Sequence, residues 1–135
     1  MNQDKFREHL IWAEGYRNFP YQDSVGKTSI GVGRNLDDKG LSDDEIGILL
    51  ENDINDAVRS ASSMSYWDSL TPNRQLVVAD MVFNMGLRRF KGFIKTNAAL
   101  ERGDWDEAAR EMVDSRWFRQ TGRRSRKLVA MMIFG

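Results

Sequence analysis

The stretch "TPNRQLVVADMVFNMG", residues 71–86, leaves this chain little freedom in how it folds. Thr71 is a helix cap, and Pro72 suits the first helical position, where its missing N–H is not needed. Gly86 is a stop. Between them Leu76, Val77, Val78, Met81, Val82, Phe83 and Met85 run nearly all the way round the helix. A helix apolar on every side must be surrounded. The spacing therefore predicts the buried centre of a small helical bundle.

The other segments supply what surrounds it. Residues 3–13 read as a short helix with Phe6, Leu10 and Ala13 on one side, stopped at Gly15. Pro20 forbids its continuation. "FPYQD" and "KTSIGVG", joined by a turn at 24–26, read as a small hairpin. "GLSDDEIGILLENDINDAVRSASS" is the clearest helix, with Ser42 and Glu45 in capping-box spacing. Ile46, Leu49, Leu50, Ile54, Ala57, Val58 and Ala61 keep its helical period, and Asp53 borders that stripe, where a carboxylate needs a partner. Helices follow at about 93–102, 105–114 and 122–134. The expected class is α+β: a small β-hairpin lobe and a mainly helical lobe joined by a long helix. We place all 135 residues in one domain, with a front lobe at about 14–41, a connecting helix at about 42–63, and a helical lobe at about 64–135 that includes the N-terminal helix.

Composition removes several classes of chemistry. There is no Cys, hence neither a disulfide framework nor a thiolate nucleophile. His9 is the only His, which argues against a zinc site and leaves a Ser-His-Asp triad one candidate base. Lying among polar neighbours, it reads as an ordinary surface residue. No apolar run approaches the length of a bilayer span, so no stable membrane insertion is expected. The N-terminus lacks the apolar region and cleavage site of a secretory signal. Formal charge is zero but unevenly spread: residues 1–85 hold 8 Lys+Arg against 14 Asp+Glu, and residues 86–135 hold 12 against 6. "SRWFRQTGRRSRK", 115–127, has six basic residues and no acid. It suits a polyanion such as nucleic acid or an anionic wall polymer, and equally a solvated helix face.

Glu14 stands at the end of the first helix, where the helix dipole disfavours negative charge and so favours the protonated acid. Read alone, a surface Glu at a frayed end is the plainer interpretation. Asp23 precedes a turn, a common place for local hydrogen bonding. Thr28 and Ser29 point to opposite faces of their strand. Two carboxylates and a hydroxyl able to hold water are the equipment of an inverting glycoside hydrolase. "GKT" at 26–28 lacks the earlier Gly of a phosphate loop, because Tyr21 stands there. Gly31-x-Gly33 lacks its third Gly for dinucleotide binding.

Glu14-Gly15, Tyr21-x-Asp23 and Ser29-Ile30-Gly31-x-Gly33 resemble the motif of the phage-type lysozyme (muramidase) family. That pattern is Glu, eight residues, Asp, five residues, Thr, then Ile-Gly-x-Gly-His, and the spacings here agree. "LSDDEIGILLENDINDAVR" resembles the family's interlobe helix. "VVADMVFNMG", "GFIKTNAALERGDWDEAA" and "SRWFRQTGRRSRK" resemble successive helices of its rear lobe, in order. The resemblance implies a lysozyme-like fold and hydrolysis of the β-1,4 bond between N-acetylmuramic acid and N-acetylglucosamine. It implies Glu14 as the acid, Asp23 as the carboxylate that activates water and stabilises the transition state, and Ser29 as the water-positioning hydroxyl. Phe83 and Asn84 match positions lining the saccharide cleft, and Arg124 matches an Arg that pairs with the catalytic Glu. No metal or cofactor is implied.

Three departures accompany it. The family's Thr is Ser29, which keeps the hydroxyl without the methyl. The family's His is Arg34, whose implied partner is Asp53. Only eight positions lead from Arg34 to Ser42, so a smaller sheet is expected. The partner implied is the peptidoglycan glycan strand, met by a monomer made in the host cytoplasm. It would reach the wall through a pore-forming phage partner or as part of the virion. The rivals are a lytic transglycosylase, which needs Glu14 but not Asp23 and Ser29, and a wall-binding or virion-structural protein of the same fold. A nucleic-acid binder lacks any recognisable module.

Overall fold

In the computed structural model, which describes residues 1–135, the chain opens with α1, Gln3–Glu14. Asn2 caps it, its Oδ1 accepting from the Lys5 N–H at 3.0 Å. Gly15, at φ 83°, ends it while its N–H donates to Ile11 O. Three antiparallel strands follow in the order β1 (Arg17–Gln22), β2 (Thr28–Gly31) and β3 (Arg34–Asn35). Tyr21 faces Ser29 across β1–β2, and Ser29 faces Asn35 across β2–β3. The expected hairpin is present with a third, two-residue strand added. Gly31 and Gly33, both at φ 67°, turn the chain from β2 into β3. The long helix α2, Asp43–Ala61, begins with a reciprocal capping box: Glu45 N–H donates to Ser42 Oγ at 3.2 Å, and Ser42 N–H donates to Glu45 Oε1 at 3.0 Å.

The chain forms two compact units, residues 1–48 and 49–135, divided within α2. In the second, a 3₁₀ turn at Trp67–Ser69 leads to α3, Pro72–Met85, then α4 (Leu87–Lys91), α5 (Ile94–Glu101), α6 (Trp105–Val113), α7 (Arg116–Thr121) and α8 (Arg123–Phe134). Sequence spacing anticipates α1, α2, α3, α5, α6 and α8 to within two residues at each end. It misses α4, a single turn closed by Gly92, and α7, which Ser115 caps by accepting from the Phe118 N–H.

The core of the second unit centres on Val77, Val78, Met81 and Val82 of α3. They pack with Phe90, Leu100, Met112, Leu128 and Met132, all at most 4% exposed. The helix is not buried all round as its composition suggested. Leu76 and Phe83, seven residues apart and so on one face, are about half exposed. Arg74 is the buried cation of this unit. Its guanidinium lies 4.5 Å over the Trp105 ring, and it donates to the carbonyls of Met132 and Ile133 at 2.8 and 2.9 Å. One side chain thus joins α3 to α6 and satisfies carbonyls at the end of α8 that have no helical partner. Tyr66 donates from its phenol to Asn97 Oδ1, and Asn97 Nδ2 donates to the carbonyls of Phe90 and Phe93. Burial holds the Tyr66 phenol above its usual range.

Candidate active site

Glu14 is the last residue of α1. Its carboxylate lies against the backbone of Gly33: a Cβ there would stand 2.8 Å from Oε2. Gly33 is therefore required twice, once for its positive φ and once for the space that Glu14 occupies. The Gly31-x-Gly33 spacing, read from the sequence as a failed dinucleotide loop, belongs to this contact.

Asp23 sits where β1 ends, and its side chain organises the turn. Oδ1 accepts the N–H groups of Val25 and Lys27 at 2.9 and 2.8 Å, and the Asp23 N–H donates to Lys27 O at 2.8 Å. Gly26 completes the turn at φ 83°. One carboxylate oxygen is thus held by backbone, which fixes the direction in which the other points. The sequence suggested this local bonding, and the structure shows which amides supply it.

Ser29 lies on the central strand and is 3% exposed. Its neighbour Thr28 is engaged structurally: the Thr28 N–H donates to Asp37 Oδ2 at 2.8 Å, and its Oγ1 accepts from Gln22 Nε2 at 3.0 Å. Thr28 belongs to the scaffold, and the Ser29 hydroxyl is left without a protein partner. Glu14, Asp23 and Ser29 are thereby placed by consecutive pieces of one unit: the end of α1, the β1–β2 turn and the strand running into Gly33.

Two of the arginines named from the resemblance have carboxylate partners within their own units. Arg34 takes Glu45 as its carboxylate partner, Nη1 standing 2.6 Å from Oε2, and also donates to Gly40 O. Glu45 is already oriented by the capping box, so the guanidinium meets a carboxylate held in place beside it. Arg34 and the capping amide bonds hold the Glu45 carboxyl well below its usual range, at about 2. Arg124, for which the resemblance implied a catalytic glutamate as partner, donates from Nε to Asp80 Oδ1 at 2.8 Å.

The remaining implied residues fall in the second unit. Phe83 lines a cavity of about 360 Å³ together with Asp53, Asp56, Ser60 and Leu87. Asn84, on the next helical position, lines a different one of about 610 Å³. Arg89, Trp117 and Gln120 share that second cavity. Sequence reading did not pick them out as a group, because they come from α4 and α7, the two helices it missed.

Residues 12–131 match the family model described as Phage lysozyme. The chain is similar to Probable T4-type lysozyme 2 of Dictyostelium discoideum, 27% identical over 96% of this chain and 94% of that protein. It is similar at 26% identity to Probable T4-type lysozyme 1 of the same organism, with the same coverage. It is also similar to the pre-baseplate central spike protein Gp5 of Enterobacteria phage T4, 26% identical over 94% of this chain and 23% of that protein. The first two alignments run to 159 positions, more than the 135 residues present, so those relatives carry insertions. The alignment with the spike protein runs to 131.

Proposed function

This chain belongs to the phage lysozyme family and is a peptidoglycan hydrolase of the muramidase type, and we propose that Glu14, Asp23 and Ser29 carry its chemistry. The observation that supports this most is the seat of Glu14 on Gly33, reached directly from the strand bearing Ser29. Glu14 donates its proton to the glycosidic oxygen as the C1–O bond breaks. Positive charge develops at C1 and the ring oxygen, and the Asp23 carboxylate stabilises it. A water held by the Ser29 hydroxyl attacks C1 from the face opposite the leaving group and passes a proton to Asp23. The products are a reducing N-acetylmuramic acid of inverted configuration and the free 4-hydroxyl of N-acetylglucosamine.

Phe83, Asn84 and Arg124 bind the glycan strand in this reading. Phe83 is half exposed and offers a ring face to sugar C–H groups. Similarity to a protein named as a pre-baseplate central spike supports delivery as part of a virion.

Mass spectrometry of soluble fragments from purified peptidoglycan tests the assignment. Wild type is expected to release fragments ending in reducing N-acetylmuramic acid, and Glu14→Gln none. Anhydro-muramic ends would identify a lytic transglycosylase and remove Asp23 and Ser29 from their roles. No cleavage by folded wild type would leave a wall-binding or structural protein.

A further inference from the structure

The strand bearing Ser29 is paired unequally on its two sides. Toward β1 its pairing begins at Thr28, opposite Gln22. Toward β3 it begins only at Ser29, opposite Asn35, because β3 has two residues. Thr28 therefore lies opposite Leu36, one position past the end of β3. Its C=O still accepts the Leu36 N–H at 2.8 Å. In a continued antiparallel ladder the Leu36 C=O would return a bond to the Thr28 N–H. Here the chain turns instead, and the Leu36 C=O accepts the Gly40 N–H at 3.1 Å. The Asp37 side chain takes its place, Oδ2 accepting the Thr28 N–H at 2.8 Å. Asp38 reaches the residue before, its Oδ1 accepting from Lys27 Nζ at 3.2 Å. Asp38 is itself held: Oδ2 accepts from Asn35 Nδ2, and its N–H donates to Asn35 Oδ1, both at 3.0 Å.

Lys27 and Thr28 are the residues that join the Asp23 turn to Ser29. The Lys27 backbone bonds Asp23 through both its N–H and its C=O. We infer that Asp37 and Asp38 are positioning residues for the hydrolysis. They fasten the short connection that sets the Asp23 carboxylate relative to the Ser29 hydroxyl, and they do so without touching substrate. The inference rests on Asp23 and Ser29 carrying the chemistry. Both acids are exposed, so their bonds compete with water and add little to stability. Their effect is on geometry, to which a reacting constellation is far more sensitive.

The test compares Asp37→Ala and Asp38→Ala with wild type on soluble peptidoglycan glycan strands, with kcat and KM separated. Exchange of the Thr28 amide is followed by NMR. We expect each variant to lower kcat about tenfold with KM nearly unchanged, and Asp37→Ala to speed Thr28 exchange. Asp37→Asn keeps an acceptor oxygen and should restore most of the rate. Lys27→Gln cuts the second tie from its other end and should match Asp38→Ala. Lys39→Ala, in the same turn but outside these side-chain bonds, should change neither measurement. All of these variants should melt near wild type. A rate loss that Asp37→Asn does not recover, a loss expressed in KM alone, or a lowered kcat with unchanged Thr28 exchange would overturn the proposal. Cleavage by wild type and by both Ala variants at equal rates removes the positioning role alone. No cleavage by folded wild type removes the hydrolase reading and the positioning role together, and leaves Asp37 a structural acceptor for Thr28.

Discussion

The Glu14 carboxylate occupies the space that any side chain on Gly33 would need, with Oε2 only 2.8 Å from the position of its Cβ. Gly33→Ala must therefore push Glu14 aside. We expect activity to fall about 10- to 100-fold, the cost of misplacing a reacting group by about an ångström. Stability should fall by only about 1–2 kcal/mol, from the positive φ. Digestion rates set beside circular dichroism melts check both. Full activity in folded Gly33→Ala would show that Glu14 does not act from this seat.

Asp23 combines a turn-forming role and a proposed chemical one, and two substitutions divide them. Asn keeps an Oδ1 for the amides of Val25 and Lys27. Asp23→Asn should melt near wild type while losing about 100-fold or more in rate. Asp23→Ala loses the turn acceptor as well, lowering stability by about a further 1 kcal/mol. If Asp23→Asn and wild type digest peptidoglycan equally fast, Asp23 is a turn residue only.

Ser29 is nearly closed off from solvent, yet its hydroxyl is free. Removing it in Ser29→Ala should slow hydrolysis about 10-fold or more, with little effect on melting. Ser29→Thr restores the family's residue and should retain activity. Its extra methyl in a closed site should cost about 1 kcal/mol. Steady-state kinetics and thermal melts of the pair decide whether the hydroxyl or the packing matters.

The Arg34–Glu45 pair predicts a stability change on the acid side. Folding lowers the Glu45 pKa from an ordinary 4.5 to about 2, so its contribution is fully present above pH 4.5. It fades as pH falls toward 2. Both side chains are partly exposed, so the effect is modest and weakens with salt. Melts of wild type and Glu45→Gln should therefore differ at pH 6 and converge near pH 2. A constant difference across that range would show that the pair is not what Glu45 contributes.

Arg74 is expected to matter more than any exposed cation. Arg74→Met leaves the carbonyls of Met132 and Ile133 without their donor and removes the stack on Trp105. We expect a loss of about 2–3 kcal/mol in chemical denaturation. Arg74→Lys should recover only part of it, because one ammonium cannot serve both carbonyls and the ring.

Much of the architecture was legible because local chemistry specified it. Ser42 with Glu45, Thr71 with Pro72, and the glycines at 15, 26 and 86 act through neighbours a few residues away. Spacing alone therefore located the helix starts and the tight turn. The family motif was legible for the same reason: Glu14, Asp23 and Ser29 are held by short stretches of backbone whose lengths are written in the chain. Helices α4 and α7 were not, since five or six residues are too few to show a period.

What the sequence determined by itself was the α+β class, the order of its elements and the identity of the three candidate catalytic residues. Tertiary structure alone decided who meets whom. It gave Arg34 to Glu45, Arg124 to Asp80 and Arg74 to the end of α8. It also set Glu14 on Gly33 and gathered Arg89 and Arg116 around one cavity. Those choices join residues from 11 to 59 positions apart, and long flexible side chains reach many partners over such separations. Only the packed backbone selects one.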